Sequence, residues 1–519
     1  VLSMRSDRVK NKLFKKQNIY LMGIMILSMC ILMLLLTQKE AMHVDEYLSY
    51  GLANNDDNGN FYPKLVYGEK VSATEIYDTY LYAEELSFKN VWLNQAKDVH
   101  PPLYYVCLHV WGIITNNCLA VKTGVLLNII FHVINIGLVY WALKKVECQE
   151  SVALLGALFY SLCPVVLGNV LFIRMYVVIQ IFFLAILILF LEEWNKEIHN
   201  NGFYIRLILV SVLGTLTHYY FLIYLFFVCL IWGVKLIFDG KWKEIFKFVV
   251  AMLIAAGASI AIFPPMLHHL FKGEKGEGTI DSLLHSSLST IGRRGKVYGE
   301  VLDQMFGGFL IVFILVLGVM LIQKWSTKKT FGEGNLCGRW ILVALPPVLY
   351  LLMIIKAGAG TATRYVAPIY AVCVVGAVLL IVKACEKAKM SSAICLICAC
   401  VVGVMLNTGW KTYEWPELYK DAKVGYEISK EYGQNNECIY IVKNRWRNLV
   451  SYPDFLQYLC ISYVHETELE MLEQEQYSEY DSVVMYFDKN TGDEKIDEIL
   501  AKMIERNPEL NTYSKLYEL

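Results

Sequence analysis

Apolar residues recur along this chain in runs close to the ~20 residues that a helix rising about 1.5 Å per residue needs to cross the hydrocarbon of a bilayer. The runs fall near Ile19–Thr37, Leu119–Leu143, Val152–Leu167, Leu171–Leu191, Tyr204–Thr217, Tyr219–Ile237, Ile245–Phe263, Phe306–Ile322, Trp340–Ile355, Tyr365–Val382 and Ala393–Thr408, which predicts about eleven transmembrane helices. A further run, Leu103–Ile114, is too short to span and is expected to lie along the interface, with Tyr104, Tyr105 and Trp111 at headgroup level and Pro101-Pro102 starting it. Read instead as a true span, it would turn the C-terminal tail to the other side. After Thr408 the pattern changes to short strand-like runs, Cys438–Val442 and Ser482–Phe487, alternating with charged helical stretches such as Lys495–Arg506. The fold class expected is an α-helical polytopic membrane protein with a small C-terminal α/β domain.

Charge in the short loops orients the helices. Lys144 and Lys145, Lys196, Lys235 with Lys241, Lys243 and Lys247, Lys324 with Lys328 and Lys329, and Lys383 with Lys387 and Lys389 all fall on the side of the basic N-terminus. The positive-inside bias then makes that side cytoplasmic. Three parts are expected: a basic N-terminus (1–18), a membrane domain (19–408) with outer loops 38–118 and 264–305, and an extracytoplasmic domain (409–519). The localisation that follows is multi-pass in the plasma membrane. Five glycines between Gly273 and Gly295 suit the second outer loop to a lid, or to a plain flexible connector.

Composition agrees, since 56% of the 519 residues are hydrophobic and the net charge of −1 leaves no basic footprint for nucleic acid. The length of the first run, with no small-residue cleavage site after it, favours a retained signal anchor over a signal peptide. Most of the fourteen cysteines lie in apolar runs, where Cys395, Cys398 and Cys400 lack His or acidic partners and are read as packing residues, not a metal site. Cys438 and Cys460 could pair if the tail is extracytoplasmic.

Candidate chemistry collects at one face. Asp45 and Glu46 begin the first outer loop, where a partly shielded carboxylate can take a proton from a hydroxyl or amine; capping of a short helix is the alternative. Asp98 and His100 sit before the Pro101-Pro102 corner, where turn chemistry is the simpler role. Arg174 and Arg364 occupy outer ends of spans that the positive-inside bias disfavours for cations, beside Tyr176 and Tyr365. A guanidinium there could clamp a phosphate or simply snorkel to headgroups. Arg293 and Arg294 in the second loop are weaker candidates. His218 with Tyr219 and Tyr220 lies at a similar depth and could meet a sugar or belong to the aromatic belt.

In their order along the chain, Asp45-Glu46, the His100-Pro101-Pro102-Leu103-Tyr104-Tyr105 segment, Arg174-Met175-Tyr176, His218-Tyr219-Tyr220 and Arg364-Tyr365 resemble motifs of GT-C polyprenyl-phosphate-dependent glycosyltransferases. The likeness is greatest to family 39, with its protein O-mannosyltransferases and aminoarabinose transferases. The resemblance implies inverting transfer of a sugar from a polyprenyl-phosphate carrier to an acceptor on the outer face. Asp45 would be the catalytic carboxylate with Glu46 beside it; Asp98, His100, Arg174, Tyr176, His218, Tyr219, Arg364 and Tyr365 would bind substrate. Some relatives use a divalent metal ion and others do not, and no HxxxH motif or acidic triad decides the matter here. The partners implied are the lipid-linked sugar, membrane lipid, and a protein, glycolipid or wall-polymer acceptor. The competing classes are a transporter, which charged residues buried mid-helix would favour, and a protein that only binds lipid-linked sugar.

Overall fold

All eleven apolar segments are helical in the computed structural model, which describes residues 2–510 except 61–66, 73–80, 84, 117–119, 327–335, 359, 421, 434–435, 444–454, 456, 474–481, 488–490 and 508–509. Leu119, Lys328 and Lys329 lie outside the described residues. Among the described residues, eight helices are long and apolar enough to cross a membrane, or up to ten if each of two bent pairs is one span. This revises the expected eleven. The remaining segment, the fifth in chain order, is the helix Asn201–Thr217, which has 17 residues and so extends about 26 Å, short of a full crossing.

The bends have local causes. Glu150–Leu162 and Pro164–Leu171 meet at 50°, because Pro164 has no N–H to give and holds Cys163 extended (φ −63°, ψ 120°). Leu288–Met305 and Leu310–Met320 meet at 96° around Gly307 and Gly308, both at positive φ, which glycine adopts without penalty. The segment 264–305, expected as a lid or flexible connector, is instead mostly helical, as Met266–Phe271, Glu274–His285 and Leu288–Met305. Leu103–Ile114 is a single 12-residue helix.

Two compact units form, one of Val1–Leu34, Asp98–Tyr104 and Val125–Trp415, the other of Leu35–Lys97, Tyr105–Gly124 and Pro416–Leu519. In the first, Tyr176–Glu193 and Thr363–Lys387 are the central helices, with 78% of their apolar windows buried against 22% for Lys16–Leu36 and Trp242–Ile262. Exposed Ile26, Leu34, Phe246, Leu253, Ile311 and Leu315 give the outer helices an apolar surface fit for lipid. Ser28, fully buried, ties the peripheral first helix to this core. Its hydroxyl donates to the Ser161 carbonyl at 2.7 Å, so it must accept from His132 Nε2–H at 3.0 Å. His132 in turn stacks on Tyr160, which donates to Gln180 at 2.8 Å.

In the second unit, β2 (Glu437–Val442), β3 (Ile461–His465) and β4 (Val483–Phe487) are parallel, with β1 (Lys70–Val71) antiparallel at one edge; the order is β1-β3-β2-β4. Alternation along β2 sends Ile439 and Ile441 to a core with Val464, Leu472, Ile499 and Met503. It sends Tyr440 to an aromatic layer with Phe455, Tyr463 and Tyr486. With both faces covered, the strand reads as one apolar run. Cys438 N–H donates to the Cys460 carbonyl at 3.0 Å, but no disulfide joins the two. Burial, with Glu437 alongside, pushes the Cys460 thiol up to about 11.

Ser28→Ala removes the shared hydroxyl and leaves the rest of the side chain in place. It should lower stability by about 1 kcal/mol, read as a lower thermal midpoint in detergent; an unchanged midpoint would show that the bond does not dock the first helix.

Candidate functional site

Arg174 projects from a short non-helical stretch, 172–175, between the helices Pro164–Leu171 and Tyr176–Glu193. A helix break among apolar helices leaves carbonyls without intrahelical donors, and hydrocarbon supplies none. Asn128, fully buried on Ala120–Lys145, meets this need: its Nδ2 donates to the carbonyls of Val170 at 3.1 Å and Phe172 at 2.8 Å. Its Oδ1 accepts from Tyr104 O–H at 3.3 Å. Two turns on, Asn135 Nδ2 donates to the Val177 carbonyl at 2.8 Å. One face of one helix thus fixes the backbone on both sides of Arg174.

A second break lies at His218, which ends Asn201–Thr217 with extended backbone (φ −163°, ψ 137°) before Tyr220–Phe238 begins. The turn is tight because Gly214 has no side chain; a Cβ there would lie 2.6 Å from the Phe221 ring. His218 Nδ1 accepts from Tyr220 N–H at 3.0 Å, so in the neutral ring the proton is on Nε2.

These two breaks and the 98–100 turn bring five candidates together. His100 Nδ1 is 2.7 Å from Asp98 Oδ2, the His100 and His218 rings are 5.9 Å apart, and the Tyr176 and His218 rings 5.7 Å apart. Burial works to raise the Asp98 carboxyl, but the charge and hydrogen bond of His100 and the charge of Arg174 outweigh it and hold it below its ordinary value. Burial, reinforced by His100 and Arg174, pushes His218 well below its ordinary value and keeps it neutral. Buried Arg174 therefore interacts with an ionised carboxylate and a neutral imidazole in a setting poor in water. Such a group can hold an oxyanion with a guanidinium and add neutral donors around it.

The remaining candidates of this unit spread outward. Tyr219 is engaged by His269, its hydroxyl oxygen 2.9 Å from Nδ1. Tyr365 reaches the cluster through Tyr220, 5.3 Å ring to ring, while Arg364 is half-buried on the 3-10 turn Thr363–Tyr365. Arg294 is committed to backbone, donating to the carbonyls of Ile355 and Lys356 at 3.3 and 3.1 Å, and Arg293 is exposed. Asn128 was not among the candidates; its only sequence signal is an amide inside an apolar run.

Asp45 and Glu46 belong to the other unit, in the first turn of Val44–Asn54. Glu46 closes a capping box: its carboxylate accepts from His43 N–H at 2.7 Å and from Lys39 Nζ at 3.1 Å, with both charged side chains fully buried. Lys39 also donates to the Glu417 carbonyl at 2.8 Å. His43 Nδ1 accepts from Asp45 N–H at 3.1 Å, so the 3.6 Å approach of Asp45 Oδ2 to that nitrogen is no hydrogen bond from it. Asp45 is 14% exposed on a helix start braced by its neighbours. Among the described residues, no three His, Cys, Asp or Glu side chains gather to hold a metal ion.

Two outcomes follow from this geometry. Asn128→Leu strips both carbonyls of their donor and should cost about 1–3 kcal/mol of stability, whereas Tyr104→Phe, which leaves those bonds intact, should cost less; equal losses in thermal unfolding would contradict the assignment. Because His218 takes up a proton more readily unfolded than folded, it removes stability as pH falls below about 6.5, by up to about 1.4 kcal/mol per pH unit. His218→Asn should flatten that limb of the stability curve, and a variant with the wild-type slope would count against a neutral His218.

No protein-family model matches this chain, and no curated protein sequence does. Similar folds are found among solved structures. ArnT from Cupriavidus metallidurans bound to undecaprenyl phosphate matches with a TM-score of 0.53 and 11% identity, over 92% of this chain and 90% of that one. ArnT in its apo state matches at 0.49 and 10%, over 84% and 85%. The oligosaccharyltransferase AglB from Archaeoglobus fulgidus, in complex with an inhibitory peptide and a dolichol-phosphate, matches at 0.47 and 10%, over 93% and 68%. At such identities the likeness is one of fold, that of a polytopic helical membrane protein with a small C-terminal domain containing β-strands.

Proposed function

We propose that this chain is a membrane glycosyltransferase, of the family 39 kind its motifs resemble, that moves a sugar from a polyprenyl-phosphate donor to an acceptor on the outer face of the membrane. The observation that carries the reading is the buried Arg174 guanidinium, held at a braced helix break beside Asp98, His100 and His218. The fold it sits in is similar to that of a protein solved with undecaprenyl phosphate. The N-terminus is cytoplasmic in this reading, and the loops 38–118 and 264–305 and the domain 409–519 face outward. The basic segment 1–18 and the membrane domain 19–408 complete the division.

Arg174 pairs with the donor phosphate, and Asp98 with His100 keeps the surrounding charge in balance. Neutral His218 offers Nε2–H, while Tyr176, Tyr219, Tyr365 and Arg364 contribute donors and ring faces to substrate. Asp45 accepts the proton of the acceptor hydroxyl or amine, and Glu46 acts on it as a positioning residue through the helix cap. The acceptor heteroatom bonds to the anomeric carbon from the face opposite the phosphate. The carbon–oxygen bond to the lipid phosphate breaks with its electron pair on phosphate, and the configuration inverts. A phosphate leaves without being protonated, so no general acid is needed. The acceptor classes remain protein, glycolipid and wall polymer.

Deleting the gene should make an isoprenoid-linked sugar accumulate, identified by mass spectrometry of membrane lipids and outer-surface glycans. In complemented cells Asp45→Asn should lower transfer at least about 100-fold, while the purified variant still binds the lipid donor. Arg174→Ala should lower transfer by a similar factor and weaken donor binding as well. Full transfer by Asp45→Asn at wild-type expression would remove Asp45 from the chemistry, and absence of any accumulating lipid-sugar would remove the donor class.

A further inference from the structure

Arg364 and Tyr365 sit at the end of the link between the spans Trp340–Ala357 and Thr363–Lys387, and that link has little regular structure of its own. After the helix Leu336–Ala357 ends, residues 358 and 360–362 are irregular, and the single 3-10 turn Thr363–Tyr365 follows. The last carbonyls of a helix have no intrahelical donors, and those of an irregular segment have none assured. Away from water each needs a donor from elsewhere.

One face of the outer helix Leu288–Met305 supplies them. Arg294, 6% exposed, shares its Nη1 hydrogens among the carbonyls of Ile355 at 3.3 Å and Lys356 at 3.1 Å and the Ser286 hydroxyl oxygen at 3.3 Å. Ser286 in turn donates to the Lys356 carbonyl at 3.1 Å. One helical turn after Arg294, fully buried Tyr298 donates its hydroxyl to the Gly360 carbonyl at 3.1 Å. A spacing of four residues sets the two side chains on one face. Among the described residues no carboxylate pairs with Arg294, so its charge is met by the negative end of the helix Leu336–Ala357.

The far end of the link is held from within the helices, where Tyr350 donates to the Tyr365 carbonyl at 2.8 Å. From there the Tyr365 ring lies 5.3 Å from that of Tyr220, and the Tyr220 ring 4.5 Å from that of His218. We infer that Arg294 and Tyr298 are positioning residues for donor binding. They fix the backbone from which Arg364 and Tyr365 present their side chains to the lipid-linked substrate, and they do so without touching it. The inference rests on the proposed glycosyltransfer reading, in which Arg364 and Tyr365 meet substrate, and it gives the second outer loop a defined part in that site.

The test follows the full chain in detergent by amide hydrogen exchange and by binding of undecaprenyl phosphate. In the link the amides of Gly358, Tyr365 and Val366 donate to the carbonyls of Ile354, Ala362 and Thr363, so their exchange reports its opening. Tyr298→Phe, which keeps the ring, and Arg294→Gln should each speed that exchange about threefold to tenfold, the effect of one hydrogen bond. Both should weaken binding of undecaprenyl phosphate by a similar factor, with exchange across Tyr176–Glu193 unchanged. Arg294→Lys, which can still donate to the carbonyls, should recover most of the affinity. Lys296, on the same helix with its side chain 78% exposed, is the control, and Lys296→Gln should bind as the wild type does. Exchange at wild-type rates in both clamp variants, or faster exchange with undiminished binding, would overturn the inference. Arg364→Gln and Tyr365→Phe separate it from the reading beneath it. If these weaken binding and the clamp variants do not, the inference falls and the reading stands; if these bind fully, or the wild type binds no undecaprenyl phosphate, the reading of the link falls and the inference with it.

Discussion

The need to satisfy backbone polar groups away from water governs where this protein can place chemistry. A continuous helix meets that need internally, but Arg174 sits where the helix is broken. The chain breaks its helices at 172–175 and again at His218, and each break exposes carbonyls and N–H groups. Asn128 and Asn135 supply the donors at the first. The His218 ring supplies an acceptor at the second. The polar side chains on the inner helices are therefore conditions for the cluster's existence.

Low water content then decides the charge states. Asp98 is largely shielded from water, which alone would favour its neutral form, yet the nearby imidazole and guanidinium keep it ionised. The same guanidinium, with burial, denies His218 a proton. Placing one permanent cation next to a carboxylate and a histidine thus favours the deprotonated form of both, which is charged for Asp98 and neutral for His218. A fully buried pair such as Lys39 with Glu46 follows a different logic. Each charge there needs the other and further hydrogen bonds to offset lost hydration, and Glu46 finds them in the helix cap while Lys39 finds a carbonyl. Two adjacent acids, Asp45 and Glu46, consequently have unlike surroundings.

The buried polar chain Ser28–His132–Tyr160–Gln180 crosses helices that otherwise meet through apolar side chains. In a membrane the hydrophobic effect does not favour helix–helix over helix–lipid contact, so such bonds give a peripheral helix a preferred seat and register. Gln180 also donates to the Tyr176 carbonyl at 3.2 Å, one turn from the start of the helix that follows the Arg174 break. Dock and break are linked through one series of hydrogen bonds and a ring stack.

Periodicity and length alone located every apolar helix and the strands at Cys438–Val442 and Val483–Phe487, because those features depend on residues a few positions apart. Local pattern also marked Pro101-Pro102 and the basic loops. It could not tell a straight span from a bent pair at Pro164 or Gly307-Gly308, nor tell that the glycines from Gly273 to Gly295 sit within or beside helices, since both depend on what packs alongside. Of the candidate residues, the types were legible and their company was not. Asp98, His100, Arg174, Tyr176 and His218 are scattered over more than a hundred positions, and only the packing of several helices makes one cluster of them. That packing also committed Arg294 to carbonyls and gave Asn128 its role, whereas the Glu46 cap is local to the helix start and was open to the sequence. Burial and hydrogen-bond partners are properties of neighbours distant in sequence, so the chain determined its elements while the tertiary structure determined what each polar group is able to do.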